Sequence, residues 1–234
     1  MYEFRSRVRY SETDRRGVLS MQGLLRILQD ANYLYAEDAG RGISYQAGHR
    51  AAWYLLSWDV RMLRAPRLSE PYVFTAAFYA RSGSLSKKYL ALRSETGELL
   101  ADARTRWAFV NTVTGEPVEC PADYFGEEPL LSLDRKSGEI ARIRPTGSGR
   151  LLSPLSVTPL LLDENQHVNN VRLSETALTL TGYEEGCTRF RAEFLRQTRG
   201  GETLTPRLTE GTDGDAVLTF LASDGEANAV FSCK

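Results

Sequence analysis

The sequence predicts an α+β protein in which one unit, a short strand followed by a long helix and several antiparallel strands, occurs twice in tandem. Three matches between the halves support this. Tyr10-Ser11-Glu12-Thr13-Asp14 and Leu161-Leu162-Asp163 each lead into an apolar-periodic stretch. Met62-Leu63-Arg64, followed by Arg67 and Glu70, parallels Phe194-Leu195-Arg196, followed by Arg199 and Glu202, without gaps. Ser94-Glu95-Thr96-Gly97-Glu98 parallels Ser223-Asp224-Gly225-Glu226, each a turn signal between β-like runs.

The helices follow from spacing. Leu24, Leu25, Ile27, Leu28, Ala31 and Leu34 in the first half, and Val171, Leu173, Ala177, Leu178 and Leu180 in the second, recur as on one face of a helix. Ser20 and Asn170 are expected as first caps, with Gly40 and Gly182 just past the last turns. The strands follow from alternation, clearest where Phe190, Ala192 and Phe194 alternate with Arg189, Arg191 and Glu193, so that one face is buried and the other wet. Pro129, Pro145, Gly138, Gly147 and Gly149 interrupt all periodicity between the halves. The expected division is a first repeat over 1–125, a linker over 126–150 that does not carry the core, and a second repeat over 151–234. An antiparallel sheet wrapped around one long central helix, present twice, resembles the tandem or double hot-dog arrangement. Pairing two such halves would cover the open sheet edge and helix flank that each leaves.

Composition narrows the function. With 29 basic and 30 acidic residues among 234, no global field favours nucleic acid or an anionic membrane, so any electrostatic docking site must be local. Cys120, Cys187 and Cys233 lack the paired spacing of a zinc or redox site, and their odd number points to a reducing compartment, hence a cytoplasmic protein. Neither an apolar leader after Met1 nor a run approaching the roughly 20 apolar residues of a membrane span is present. No metal or cofactor is expected.

The densest polar stretch at a predicted helix start is Asp163-Glu164-Asn165-Gln166-His167-Val168-Asn169-Asn170. If it is extended, Asp163, Asn165 and His167 share one side, because side chains two apart point the same way. A carboxylate, an amide and an imidazole can together attack a carbonyl through water. Asp163 can activate water directly or fix the imidazole tautomer, His167 can carry a proton near neutral pH, and Asn165 can orient the reacting groups. Helix-start amides could stabilise the developing oxyanion. The structural alternative is that Asp163 and the asparagines serve turns and caps. No activated serine or cysteine stands out, and Cys187 reads as core packing. In the first half Asp14-Arg15-Arg16-Gly17-Val18 occupies the corresponding place without the triplet, so that half is expected to be catalytically silent, with Asp14 serving a turn or helix start.

The run Asp163 to Asn170 is similar to the Asp-x-Asn-x-His-Val-Asn-Asn signature of acyl-acyl-carrier-protein thioesterases, which release fatty acids. The likeness extends to the opening Arg9-Tyr10-Ser11-Glu12-Thr13-Asp14 and to the Trp107 strand leading to Val118-Glu119-Cys120-Pro121. It implies a tandem hot dog with catalysis in the second repeat at Asp163, Asn165 and His167, and an acyl pocket shaped largely by the first. Family members often carry a further glutamate on the next strand, where this chain has Gln197. A glutamine cannot act as a base, so either Asp163 and His167 suffice, with Gln197 only positioning water, or the chain is slower or specialised. Glu193, four residues earlier, lies roughly 13 Å along a regular strand and substitutes poorly.

An acyl slot would draw on Leu24, Leu28, Trp53 and Trp58, together with Ile27, Ala31 and Leu55, with Asn169 and Asn170 near the reacting end. Acyl carrier protein is acidic, so Arg61, Arg64, Arg67, Lys87 and Lys88 are the expected docking cations, against the alternative of a charged strand edge. The competing functions are a coenzyme A ester thioesterase, a hot-dog hydratase or dehydratase, and a non-catalytic acyl-binding module. A monomer or a homodimer would satisfy the sequence equally.

Overall fold

The computed structural model describes residues 1–133, 139–212 and 214–234. Two compact units emerge, one of Met1–Leu19 with Gly23–Ile140, the other of Ala141–Lys234 with Ser20–Gln22.

The first unit runs β1 (Tyr2–Arg7), α1 (Met21–Asp38), α2 (Ile43–Gly48), β2 (Ala51–Met62), β3 (Pro71–Ser82), β4 (Leu85–Arg93) and β5 (Leu99–Asn111). Its strands lie in the order β1-β3-β4-β5-β2, every pair antiparallel. Helix α1 buries Leu24, Leu25, Ile27, Leu28, Ala31 and Tyr35. The Tyr35 ring stands 6.0 Å from Phe78 of β3. Leu34, expected on the apolar face, is 47% exposed. The helix turns about 100° per residue, so once Leu28, Ala31 and Tyr35 define the inner stripe, Asn32 shares it and Leu34 does not. A second cluster packs Ala51, Phe109, Cys120 and Tyr124 with Trp53 and Phe125 against it.

The second unit runs β6 (Pro145–Leu151), β7 (Leu155–Ser156), α3 (Asn170–Thr181), β8 (Arg189–Phe194), β9 (Thr203–Gly211), β10 (Ala216–Leu221) and β11 (Ala227–Cys233). Its order, β8-β11-β10-β9-β6 with β7 also beside β9, repeats that of the first unit, and α3 packs on β10 and β11. Phe231 is flanked by Phe190, Phe194 and Phe220 at 5.9, 5.7 and 5.7 Å, which fills this core. Each unit is thus an antiparallel sheet on a helix, and the fold is a tandem hot dog.

The sequence matches correspond to identical backbone devices. Leu63 and Arg64 both donate to the Leu100 carbonyl, as Leu195 and Arg196 do to Asn228. Arg67 N–H donates to the Glu70 carboxylate at 2.9 Å and Arg199 N–H to that of Glu202 at 3.0 Å. The Ser94–Glu98 and Ala222–Glu226 turns close at 2.9 Å each, with Gly97 and Gly225 at φ 90° and 82°, where a side chain would be strained.

Three expectations are corrected. Asn169, not Asn170, caps α3, its side chain accepting from Val171 N–H at 2.9 Å and Arg172 N–H at 3.3 Å. The polar face of β8 is not wet at Arg191, which is 9% exposed and donates to the Ala141 carbonyl, while Glu193 accepts from Ile143 N–H at 2.7 Å. The chain at 141–143 covers that face. This chain lies within 126–150, where Ile143 also packs on Val217 and Val230 and Pro145–Leu151 forms an edge strand, so part of the segment contributes to the core. Gly138 and the neighbouring residues 134–137 fall outside the described residues.

Two substitutions test this packing. A Cβ at Gly23 would stand 2.1 Å from the carbonyl oxygen of Glu12, in a turn whose Glu12 side chain is itself held by Arg9 N–H. Gly23→Ala is therefore expected to lower unfolding free energy in urea by about 1–3 kcal/mol, as overpacking does; an unchanged midpoint would contradict the close approach. Asn169→Ala should cost about 1 kcal/mol through the lost cap, read in the same titration.

Candidate functional site

The stretch from Asp163 to His167 is a tight turn, not an extended strand. Asp163 N–H donates to the His167 carbonyl at 2.8 Å, and Asp163 Oδ1 accepts from the N–H groups two and four residues on, those of Asn165 at 2.9 Å and His167 at 3.1 Å. Gln166 takes φ 60°, the left-handed conformation the reversal requires. Leu162 then bridges to Val168, His167 bridges to Arg199, and Val168 N–H donates to the Thr198 carbonyl at 2.8 Å. A carboxylate in the turn thus presents the histidine backbone to the segment following β8.

The first unit builds the same device. Asp14 Oδ1 accepts from Arg16 N–H at 2.9 Å and Val18 N–H at 3.3 Å, Gly17 supplies φ 72°, and Val18 bridges to Arg67. Burial pushes the Asp14 carboxyl up, but hydrogen bonds from Arg16 and Val18 prevail and hold it below its usual value. Asp14 is the turn ligand that the sequence suggested. What differs in the second unit is the cargo of the turn, asparagine and histidine in place of Arg16 and Val18.

His167 is half-buried, and burial pulls its imidazole below the ordinary value of 6.5. Asp163 and Glu202 oppose that shift, and Arg199 adds to it. The ring is therefore neutral at neutral pH, the form that can accept a proton. Arg199 and Glu202 are its electrostatic neighbours. The sequence showed them only as a repeat match, because their nearness to His167 arises from the β-bridge.

Asn165 and Glu164 are exposed on the turn. Gln197 is exposed and lies beyond the end of β8, next to Thr198, rather than on the strand where alignment placed it. The expected oxyanion donors at the start of α3 are partly taken, because the amides of Val171 and Arg172 are held by the Asn169 side chain. Asn170 is the first helical residue, and its carbonyl accepts from Ser174 Oγ. Cys187 is buried, which pushes its thiol up to about 11, and is no nucleophile at neutral pH.

Of the residues expected along an acyl slot, Leu24, Leu28 and Trp58 are buried in the core, and Trp53 lines a small cavity with Asn32, Ser86, Lys88, Trp107 and Tyr124. Among the expected docking cations Lys88 is a correction. It is 7% exposed inside the first unit and cannot meet a partner's surface. Its neighbour Lys87 faces the other side of β4, as alternation requires. Arg61 is paired bidentately with Asp102, and Arg64 with Glu70 and Glu98, which leaves their charges largely compensated. Arg67 is exposed. No helix among the described residues is long and apolar enough to cross a membrane.

The family model described as Acyl-ACP thioesterase N-terminal domain matches residues 1–127, more than half of the chain. Among solved structures, an acyl-ACP thioesterase from Bacteroides thetaiotaomicron VPI-5482 superposes with a TM-score of 0.82 at 20% identity, over 99% of this chain and 96% of that one. A 12:0-ACP thioesterase from Umbellularia californica superposes with a TM-score of 0.83 at 17% identity, over 100% and 96%. At these identities the superpositions carry the fold. No curated protein sequence matches significantly. With the family model covering the first repeat and the same tandem fold running over the whole length, this chain belongs to the acyl-ACP thioesterase family and is a hydrolase of fatty acyl thioesters.

Proposed function

We propose that this chain hydrolyses the thioester of fatty acyl-acyl carrier protein, releasing the free fatty acid, by water activated at the turn from Asp163 to His167. The observation that carries this reading is a neutral, half-buried imidazole on a carboxylate-held turn in a chain of this family. Neutral His167 takes a proton from water as it adds to the thioester carbonyl, and gives it to the departing thiolate. Asn165 orients the water or the carbonyl. Asp163 acts first through the backbone, since one carboxylate oxygen holds the amides of Asn165 and His167, and its charge also steadies the imidazolium formed in the reaction. Gln197 positions water at most. No covalent serine or cysteine intermediate is involved.

The carrier docks through surface cations, of which the exposed Arg67 and the half-buried Lys87 remain from the expected set; on β4 Lys87 stands opposite Arg106 of β5. Cys120, Cys187 and Cys233 are free and buried, which fits a reducing, cytoplasmic setting.

The decisive experiment is thiol release by purified protein across acyl carrier proteins of varied chain length, with coenzyme A esters beside them. Release from no carrier substrate would refute the reading, and faster release from coenzyme A esters would reassign the carrier. His167→Ala should lower turnover by about 10² or more with the far-ultraviolet spectrum unchanged. Asp163→Ala should fall as far, whereas Asp163→Asn, which keeps an oxygen acceptor for the turn, should retain more activity than Asp163→Ala. Equal loss in both would assign Asp163 the proton transfer instead. Because protonation of His167 abolishes the base, kcat/KM should fall on the acid side, with its midpoint below 6.5; a midpoint above that value would contradict the desolvated imidazole.

A further inference from the structure

The first repeat holds an ionisable group that the proposed chemistry does not use. Lys88 lies on β4, its side chain directed inward, with Nζ donating to Asn32 Oδ1 of α1 at 2.8 Å. Its Nζ stands 4.8 Å from the centre of the Tyr35 ring, 4.6 Å from Phe78 and 5.8 Å from Trp107. The nearest charges are Glu128 and Arg41, themselves 3.6 Å apart, with Glu128 also accepting from Tyr35 Oη. An ammonium removed from water costs several kcal/mol unless it is partnered, and here one amide and three ring faces do so. Ser86, two residues earlier on the same face of β4, is 1% exposed, and its hydroxyl has no hydrogen-bond partner among the described residues.

Both side chains line one cavity of about 30 Å³, walled by Trp53, Trp107 and Tyr124. That volume matches roughly one water or one small functional group. The rim includes Tyr33, which is 37% exposed. A saturated chain end placed here would leave the amine and the hydroxyl facing a methyl group. An oxygen would accept from Lys88 and exchange a hydrogen bond with Ser86.

We propose that this cavity, lined wholly by the first unit, takes the end of an aliphatic chain that carries an oxygen function, a hydroxyl or a carboxyl, recognised by Lys88 and Ser86. The proposal rests on the acyl thioesterase reading above for the chain's identity as ligand, and deepens it to a substrate class. The volume admits one group and no length of chain, so the chain enters by its end. Burial pulls the Lys88 amine down to about 7, with Glu128 opposing and Arg41 adding to the shift, so near neutral pH the nitrogen can donate to a hydroxyl or pair with a carboxylate.

Trp53 and Trp107 wall the cavity, so binding of free acids can be followed by quenching of their fluorescence without any turnover. Saturated, terminally hydroxylated and dicarboxylic acids of matched length are titrated into the whole chain and into Lys88→Met and Ser86→Ala. The expected result is at least about tenfold tighter binding of one terminally oxygenated class over the saturated acid, a difference of ~1.4 kcal/mol. Lys88→Met should abolish this preference, and Ser86→Ala, a smaller change that preserves the core, should reduce it. Equal affinity for all three classes in the unsubstituted chain, tighter binding of the saturated acid, or a preference unchanged in both variants overturns the proposal. Thiol release from the corresponding acyl carriers is measured in parallel. Failure of all release with the quenching preference intact would sink the thioesterase reading alone.

Discussion

A single carboxylate oxygen accepting two backbone hydrogens organises each repeat of this protein. In the second repeat Asp163 Oδ1 ties down the amides of Asn165 and His167, the reversal is completed by a left-handed Gln166, and the chain leaves directly into the Asn169 cap of α3. The short ladder from Val168 to Thr198 and from His167 to Arg199 depends on that reversal, because only a closed turn brings residues so near in sequence to a distant segment in the right register. The central helix is thereby entered from a defined direction, and the imidazole acquires its desolvation and its charged neighbours together.

The duplication gives both halves the same turn scaffold, while the side chains that the turn presents differ. Asp14 does for its turn what Asp163 does for the other, and Gly17 takes the left-handed place of Gln166. The structural demand on the aspartate is therefore common to both, and the halves differ in the residues that the turn presents, Arg16 and Val18 against Asn165 and His167. Under the proposed mechanism Asp163 would serve fold and reaction together, which makes it the residue whose two roles are hardest to separate.

The first repeat carries a different tension. Its core accepts a lysine among Tyr35, Phe78 and Trp107, and a serine hydroxyl without a hydrogen-bond partner among the described residues, where apolar side chains would pack at lower cost. Buried polar groups of this kind concentrate where a ligand is to be recognised. The outer face of the same sheet carries ion pairs such as Arg61 with Asp102, so alternation along β4 separates an inner, buried lysine from an outer, half-buried one.

The sequence by itself determined what local patterns determine. Apolar spacing located α1 and α3, the glycines Gly40 and Gly182 marked their ends, matched turn signals gave the duplication, and the polar run from Asp163 to Asn170 marked the candidate chemistry. These are readings over a few residues, where spacing and backbone preference dominate. Tertiary structure decided everything that depends on what lies across from a face. The chain at 141–143 buries Arg191 and engages Glu193, neither visible in the alternation of β8. Asn169 rather than Asn170 became the cap, and the amides of Val171 and Arg172 are taken by its side chain. Lys88 appeared as one of several surface cations and is in the core, because a charge pattern cannot show that an aromatic cage from α1, β3 and β5 closes over one of two adjacent lysines. Asp163, Asn165 and His167 share one turn by backbone hydrogen bonding rather than by strand alternation, since a left-handed residue at Gln166 is set by closure of the turn and not by its own side chain.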